Sequence, residues 1–138
     1  MLTESAEQRA VVEWWRLYAP TRGIDARLLI AVPNGGHLAG DARQRAIQMR
    51  RLKGEGLQPG TPDLFLAWPK LDKQGTRAAY SADRIIFHGL FVEMKSTSGT
   101  LQPEQTVMIE TLRRAGYNVV VSYGADEAMR AIKYYIGA

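Results

Sequence analysis

Three charged residues in two short segments have the types and the spacing for phosphodiester chemistry. Asp63 lies between a Pro/Gly turn and an apolar run in "PGTPDLFLAW", and Glu93 and Lys95 lie two residues apart in "FVEMKS". Two carboxylates can hold a divalent cation, which polarises a phosphoryl oxygen and lowers the pKa of a bound water. A lysine can position or deprotonate that water and offset transition-state charge. Asp63 alone has a simpler interpretation, because an Asp at a turn can bond its own backbone.

The strand that carries Glu93 favours the functional interpretation. Its alternation separates two sets of side chains, with Leu90, Val92 and Met94 on one face and Phe91, Glu93 and Lys95 on the other. A solvated ion pair on a surface strand would give the same alternation. The flanking run "IIFHGLFV" is typical of an inner strand, where an unused charged pair is costly. If the strand after Asp63 pairs with this one as a hairpin, Asp63 and Glu93 converge near the end of the strands.

Apolar periodicity and turn residues predict one α/β domain over residues 1–138, with the order α-β-(α)-β-β-α-β-α. "TESAEQRAVVEWWRLY" predicts a first helix, and "ARLLIAV" predicts a buried strand that ends at Pro33. A basic helix follows from Asp41 to about Lys53, and strands follow in "DLFLAW" and "RIIFHGLFVEM". The chain then continues with a helix from Pro103 to Gly116, a strand in "YNVVVSY" and a last helix. Residues 69–84 are predicted to form a hairpin or loop insertion.

Composition limits the kinds of site that the chain can build. The 138 residues include no cysteine, which leaves carboxylates, carbonyls, amides and two histidines as metal ligands. Oxygen ligands favour a hard ion such as Mg²⁺ or Mn²⁺ over zinc. No apolar run approaches the ~18 residues of a membrane span, and no leader pattern is present. We therefore expect a cytoplasmic protein without a membrane partner.

The net charge is +4, and its distribution suggests a nucleic-acid partner. "RQRAIQMRRLK" contains no acid, and a cluster of this kind fits a phosphate backbone, although a plain basic surface helix fits as well. The candidate DNA-binding residues in this segment are Arg43, Arg45, Arg50, Arg51 and Lys53. The preceding loop adds Asn34 of "NGG" and His37 as candidates that face the DNA, unless the loop is a simple turn.

"PD" before a strand, followed by "E-x-K", is the signature of the PD-(D/E)xK nuclease superfamily. The surrounding segments "NGG", "LKGEGLQPGTPDLFL", "LFVEMKSTSGTLQPEQ" and "LRRAGYNVVVSYGADEAMRAI" closely resemble the virus-type replication-repair nuclease (VRR-NUC) domain. The resemblance extends from Glu4 to about Tyr135. It implies a restriction-endonuclease-like α-β-β-β-α-β core, in which helices flank a central mixed sheet.

The resemblance also implies which residues act. Asp63, Glu93 and Lys95 match the catalytic motif, and Gln105 of "PEQ" matches the glutamine at the start of the following helix. Asp63, Glu93 and the backbone carbonyl of Met94 are the implied metal ligands.

An acidic residue of the first helix is expected to complete the metal site. "TESAEQ" resembles the E-x-x-x-Q start of the family, which favours Glu4, with Glu7 as the alternative.

The implied activity is that of a Mg²⁺- or Mn²⁺-dependent DNA endonuclease. Standalone domains of this kind resemble phage-type, structure-selective nucleases, including Holliday junction resolvases that act as homodimers. We therefore expect branched or four-way DNA as the partner, in the cytoplasm of a bacterium or a phage-infected host. Two alternatives stay open: another PD-(D/E)xK nuclease of the flap, nickase or restriction type, and a non-catalytic protein that binds DNA through the basic helix.

Overall fold

The computed structural model describes residues 2–35, 38–72 and 85–137. The helices in this part of the chain are α1 (Glu4–Tyr18), α2 (Ala42–Gly54), α3 (Pro103–Arg114) and α4 (Ala125–Ile136). The strands are β1 (Leu29–Ala31), β2 (Leu64–Leu66), β3 (Lys70–Leu71), β4 (Ile85–Phe87), β5 (Leu90–Lys95) and β6 (Asn118–Tyr123). None of the described helices is long and apolar enough to cross a membrane.

A mixed four-stranded sheet in the order β1-β2-β5-β6 forms the centre of the described structure. Strand β2 pairs antiparallel with both β1 and β5, whereas β5 pairs parallel with β6. The register sets Leu64 opposite Val92, so the next residues outward, Asp63 and Glu93, are neighbours across the strands. The predicted α/β fold with a central mixed sheet flanked by helices is confirmed.

Helices α1 and α4 cover one face of this sheet. Their buried side chains, which include Val11, Trp15 and Ile132, form one core with the inward-facing residues of β2 and β5. Burial of each large apolar side chain contributes about 1.5–3 kcal/mol. On the opposite face, Phe65 stacks on Phe91 with ring centroids 4.5 Å apart. The predicted alternation along β5 therefore holds, and it places Glu93 and Lys95 on the aromatic face.

Two sequence-based expectations were wrong in detail. The segment predicted as a buried first strand is a short edge strand, and Ile30 is 45% exposed because β1 has a partner on one side only. The run "RIIFHGLFVEM" divides into β4 and β5, and β4 pairs with β3 in a separate two-stranded ribbon. Strand β3 lies inside the predicted insertion of residues 69–84, β4 directly follows it, and residues 73–84 lie outside the described residues.

The "PGTP" turn packs directly on the start of α3. Gly60 has φ +87, and a β-carbon at this position would lie 2.5 Å from the carbonyl oxygen of Glu104. The hydroxyl of Thr61 donates to the carbonyl of Gln58 at 2.7 Å, which closes the turn. The turn leads into Asp63, and Gln105 lies in the contacted first turn of α3. This contact therefore sets the relative position of the two candidate site residues.

Replacing Gly60 with alanine should lower the free energy of unfolding by about 2–4 kcal/mol, because the change combines left-handed strain with a clash against backbone. Gly23→Ala is the matched control, since Gly23 also has a positive φ (+71) but no atom within 4 Å of the added β-carbon. We expect a loss of about 1–2 kcal/mol there. Urea unfolding measures both, and equal losses would contradict the contact between the turn and α3.

Candidate active site

Asp63 is held by hydrogen bonds to both of its carboxylate oxygens. The backbone N–H of Met94 donates to Oδ2 at 2.8 Å, and the side-chain amide of Asn34 donates to Oδ1 at 3.0 Å. Asn34 Nδ2 also lies 3.3 Å from the carbonyl oxygen of Thr61. Asp63 is therefore anchored to β5 and to the segment after β1. These contacts go beyond the simpler interpretation, in which Asp63 bonds only to the backbone of its own turn.

Gln105 connects the other two motif residues. Its Nε2 donates to Glu93 Oε1 at 2.8 Å, and its Oε1 accepts from Lys95 Nζ at 2.9 Å. The same Oε1 accepts from the backbone N–H of Gln102 at 2.8 Å, which ties the side chain to the start of α3. Glu93 and Lys95 are only 2% and 5% exposed, and Lys95 Nζ lies 3.6 Å from Glu93 Oε1. The surface ion pair considered above is excluded.

Burial makes both carboxylates poor acids. It raises the pKa of Glu93 to about 8, helped by the charge of Asp63 and, less, by that of Glu4, while Lys95 opposes the shift. Burial also raises the pKa of Asp63 above its ordinary value, although hydrogen bonds from Met94 and Asn34 oppose the increase. With both carboxyl groups ionised, the site would therefore hold more negative charge than Lys95 alone offsets.

The donor set fits a hard divalent cation. Glu93 Oε2 is buried and has no hydrogen-bond partner within the described residues, which leaves a carboxylate oxygen next to Asp63 for another ligand. Three acidic or histidine side chains do not converge into a complete metal cluster within residues 2–35, 38–72 and 85–137. Asp63 and Glu93 would be the protein's core ligands. The Met94 carbonyl stays a predicted ligand, and the backbone N–H of the same residue donates to Asp63.

The structure assigns different contacts to Glu4 and Glu7, the two acidic residues proposed as metal ligands from the first helix. Glu7 Oε2 accepts from the backbone N–H of Ala125 at 2.6 Å, so this carboxylate caps the start of α4. The charge of Glu4, in contrast, acts on both Asp63 and Glu93 and raises the pKa of each. Of the two, Glu4 is therefore the one whose charge reaches the site, and its role as a metal ligand stays a prediction.

The predicted DNA-binding residues lie in two different settings. The five basic side chains of α2 are exposed, and that helix has no fully buried residue; these side chains belong to Arg43, Arg45, Arg50, Arg51 and Lys53. Asn34 donates a hydrogen bond to Asp63, a role that its place in "NGG" does not indicate, and its predicted contact with DNA stays a prediction. His37 lies outside the described residues.

Taken together, the sheet with its flanking helices and the Asp63, Glu93, Lys95 and Gln105 constellation define a nuclease-type domain of the PD-(D/E)xK class. The VRR-NUC domain profile matches residues 2–126, and the chain therefore belongs to the VRR-NUC family. A solved structure described as a VRR_NUC domain protein has the same fold, with a TM-score of 0.73 and 24% identity over 99% of this chain and 90% of that chain. No curated protein gives a significant match.

The electrostatics of Glu93 predict an unusual stability profile. An acid whose pKa rises from about 4.5 unfolded to about 8 folded keeps its proton longer in the native state. Between these pH values the native state binds more protons, so stability falls as pH rises, by up to about 1.4 kcal/mol per pH unit. Glu93→Gln should remove this slope and stabilise the protein in EDTA at pH 8.

Urea unfolding from pH 5 to pH 8 measures this slope. The matched control is Glu110→Gln, which makes the same chemical change at an exposed position of α3 and should leave the slope intact. If the unfolding free energy of Glu93→Gln still fell steeply with pH, the slope could not be assigned to Glu93.

The two glutamates in the first turn of α1 should have different phenotypes. Glu7→Gln should lower the free energy of unfolding by about 0.5–1 kcal/mol in EDTA, because it removes a negative charge from the start of α4. Glu4→Gln should leave stability in EDTA unchanged and weaken Mn²⁺ binding, measured by calorimetric titration. If Glu7→Gln alone weakened Mn²⁺ binding, the assignment of Glu4 to the site would be wrong.

Proposed function

We propose that the protein is a Mg²⁺- or Mn²⁺-dependent endonuclease that hydrolyses DNA phosphodiester bonds. The observation that carries this proposal is the adjacent pair of carboxylates, half-buried Asp63 and buried Glu93, with Glu93 Oε2 left without a hydrogen-bond donor among the described residues. A lysine and a glutamine are bonded into the same constellation. Membership of the VRR-NUC family supports a nuclease, and the carboxylate pair supports the metal dependence.

When bound, the cation would neutralise the two carboxylates and polarise the scissile phosphate. The chain's own residues then have distinct tasks. Hydrogen bonds from Met94 and Asn34 fix the direction of Asp63. Gln105 holds Glu93 and the Lys95 ammonium in one geometry, and the ammonium offsets negative charge that develops on the phosphate. Water adds to phosphorus as the bond to the 3′ oxygen breaks, which gives a 5′ phosphate and a 3′ hydroxyl.

We further propose that the substrate is branched DNA, with the four-way junction as the leading candidate. The basic side chains of α2 are exposed and suit contacts with phosphates, which carry no sequence information. A junction needs two symmetric cuts, and a homodimer would supply two sites related by a two-fold axis. Such an enzyme would act in the cytoplasm of a bacterium or of a phage-infected host.

A cleavage assay on a labelled four-way junction tests this function, with linear duplex and flap DNA as comparison substrates. Wild-type protein should cut the junction with Mg²⁺ or Mn²⁺ and not in EDTA. Asp63→Ala and Glu93→Gln should lower the rate by at least about a hundredfold, because each removes a charge on which the active geometry depends. Glu110→Gln should retain the wild-type rate.

The other outcomes separate the alternatives. Paired symmetric cuts together with a dimeric mass in solution support the resolvase-like proposal, whereas cuts confined to flaps or to one sequence indicate another kind of PD-(D/E)xK nuclease. Binding that is equal in wild type and Asp63→Ala, indifferent to EDTA and without cleavage by either would overturn the catalytic proposal. In that case the exposed basic face of α2 would be the functional feature.

A further inference from the structure

A cleft of 680 Å³ is lined by α1, by β1 and the segment after it, and by Asp63. Its lining also includes apolar residues just before α2, in its last turn and just after it. The carboxylate chemistry described above uses no residue of this cleft except Asp63 and Asn34. The volume lies in the range of pockets that hold small organic molecules.

One wall of the cleft is cationic. Arg9 and Arg16 line it from α1, seven residues apart, which corresponds to about 10.5 Å along the helix axis. Both side chains are exposed, and within the described residues neither forms an ion pair. Glu13 lies between them on the same face and pairs with neither. Within the described residues, two guanidinium groups without ion-pair partners are therefore available to phosphates of a polyanion.

The lining contributed by residues outside α1 is mostly apolar, and its leucines are called the leucine wall below. Leu38, Leu52 and Leu57 contribute their side chains to it. Grooves that bind single-stranded nucleic acid combine a basic track for the backbone with surfaces that receive the unstacked bases. The two walls have this division of charge and apolar surface, although leucines take the place of the aromatic rings usual in such grooves.

We propose that this cleft binds one unpaired strand of the substrate, with Arg9 and Arg16 on its phosphates and its bases or sugars against the leucine wall. The cleft is too small for the cross-section of a duplex, and Asp63 is one of its lining residues, so a strand that occupies it lies next to the carboxylates. This inference rests on the proposed nuclease function and specifies more closely which DNA the nuclease would cut. The DNA must carry an unpaired strand at the point of cutting, as a branch does.

The test compares two double variants with the same loss of charge. Arg9→Ala/Arg16→Ala removes the cationic wall, and Arg114→Ala/Arg130→Ala removes two exposed arginines outside the cleft. Fluorescence anisotropy in EDTA gives the affinity of each protein for a labelled single-stranded oligonucleotide and for a blunt duplex of the same sequence, at several salt concentrations. Helical content by circular dichroism confirms that each variant is folded.

The cleft variant should bind the single strand at least about tenfold more weakly than wild type. Its salt dependence should also be shallower by about 1.4 in logarithmic slope, because two phosphate contacts are lost at about 0.7 each. The control variant should bind the single strand with nearly the wild-type affinity. The two variants should differ little in their affinity for the duplex. Equal losses in both variants, or a loss on duplex as large as on the single strand, would overturn the proposal.

Failure of this inference and failure of the proposed function give different results. If wild type cuts branched DNA but the cleft variant behaves like the control, the nuclease proposal stands and the strand-binding cleft is wrong. If wild type cuts no DNA with either metal, the nuclease proposal fails. The binding measurements in EDTA still decide whether Arg9 and Arg16 hold a nucleic-acid strand.

Discussion

Two carboxylates held side by side, one buried and one half-buried, are the constraint on which the rest of this structure depends. Asp63 directly precedes β2 and Glu93 lies opposite it on β5, where the surrounding protein excludes most of the water from Glu93 and part of it from Asp63. Lys95 supplies one positive charge at 3.6 Å, which does not balance the pair once Glu4 is added. Buried charge without compensation is costly, so the fold must stabilise this arrangement from other sources.

Those other sources are hydrogen bonds that reach the site from separate elements. Asn34 comes from the segment after β1, the Met94 amide from β5 and Gln105 from α3. The packing of Gly60 against Glu104 locks the turn before Asp63 to the helix that carries Gln105. Because the donors belong to different elements, movement of any one of them would disturb the geometry of the carboxylates. The hydrophobic core beneath the sheet holds these elements together.

The sequence predicted the parts of this arrangement that depend on local patterns. The motif identified Asp63, Glu93 and Lys95, and alternation along β5 placed the two faces correctly because side-chain direction follows from strand geometry alone. The edge position of β1 could not be predicted, since an apolar run reads the same in an edge strand and an inner strand.

The roles of individual polar side chains depend on contacts across long stretches of sequence. Glu7 and Ala125 are 118 positions apart, and Asn34 and Asp63 are 29 apart. No spacing rule connects such residues, so Glu7 stood as an alternative metal ligand and Asn34 as a DNA contact. In the sequence, Arg9 and Arg16 lie at helical spacing in the segment of α1. Only the fold shows that the side of α1 that carries them lines the same cleft as Asp63.

The unbalanced charge also links catalysis to folding. Among the described residues, the site has a buried carboxylate oxygen without a donor and two carboxyl groups with raised pKa values. A cation that binds the native site and not the unfolded chain would stabilise the fold, by an amount that grows with its affinity and concentration. Lys95 cannot replace a divalent cation, since it supplies one positive charge beside two carboxyl groups. The features that make the site costly without a cation are therefore the same features that would make it bind one tightly.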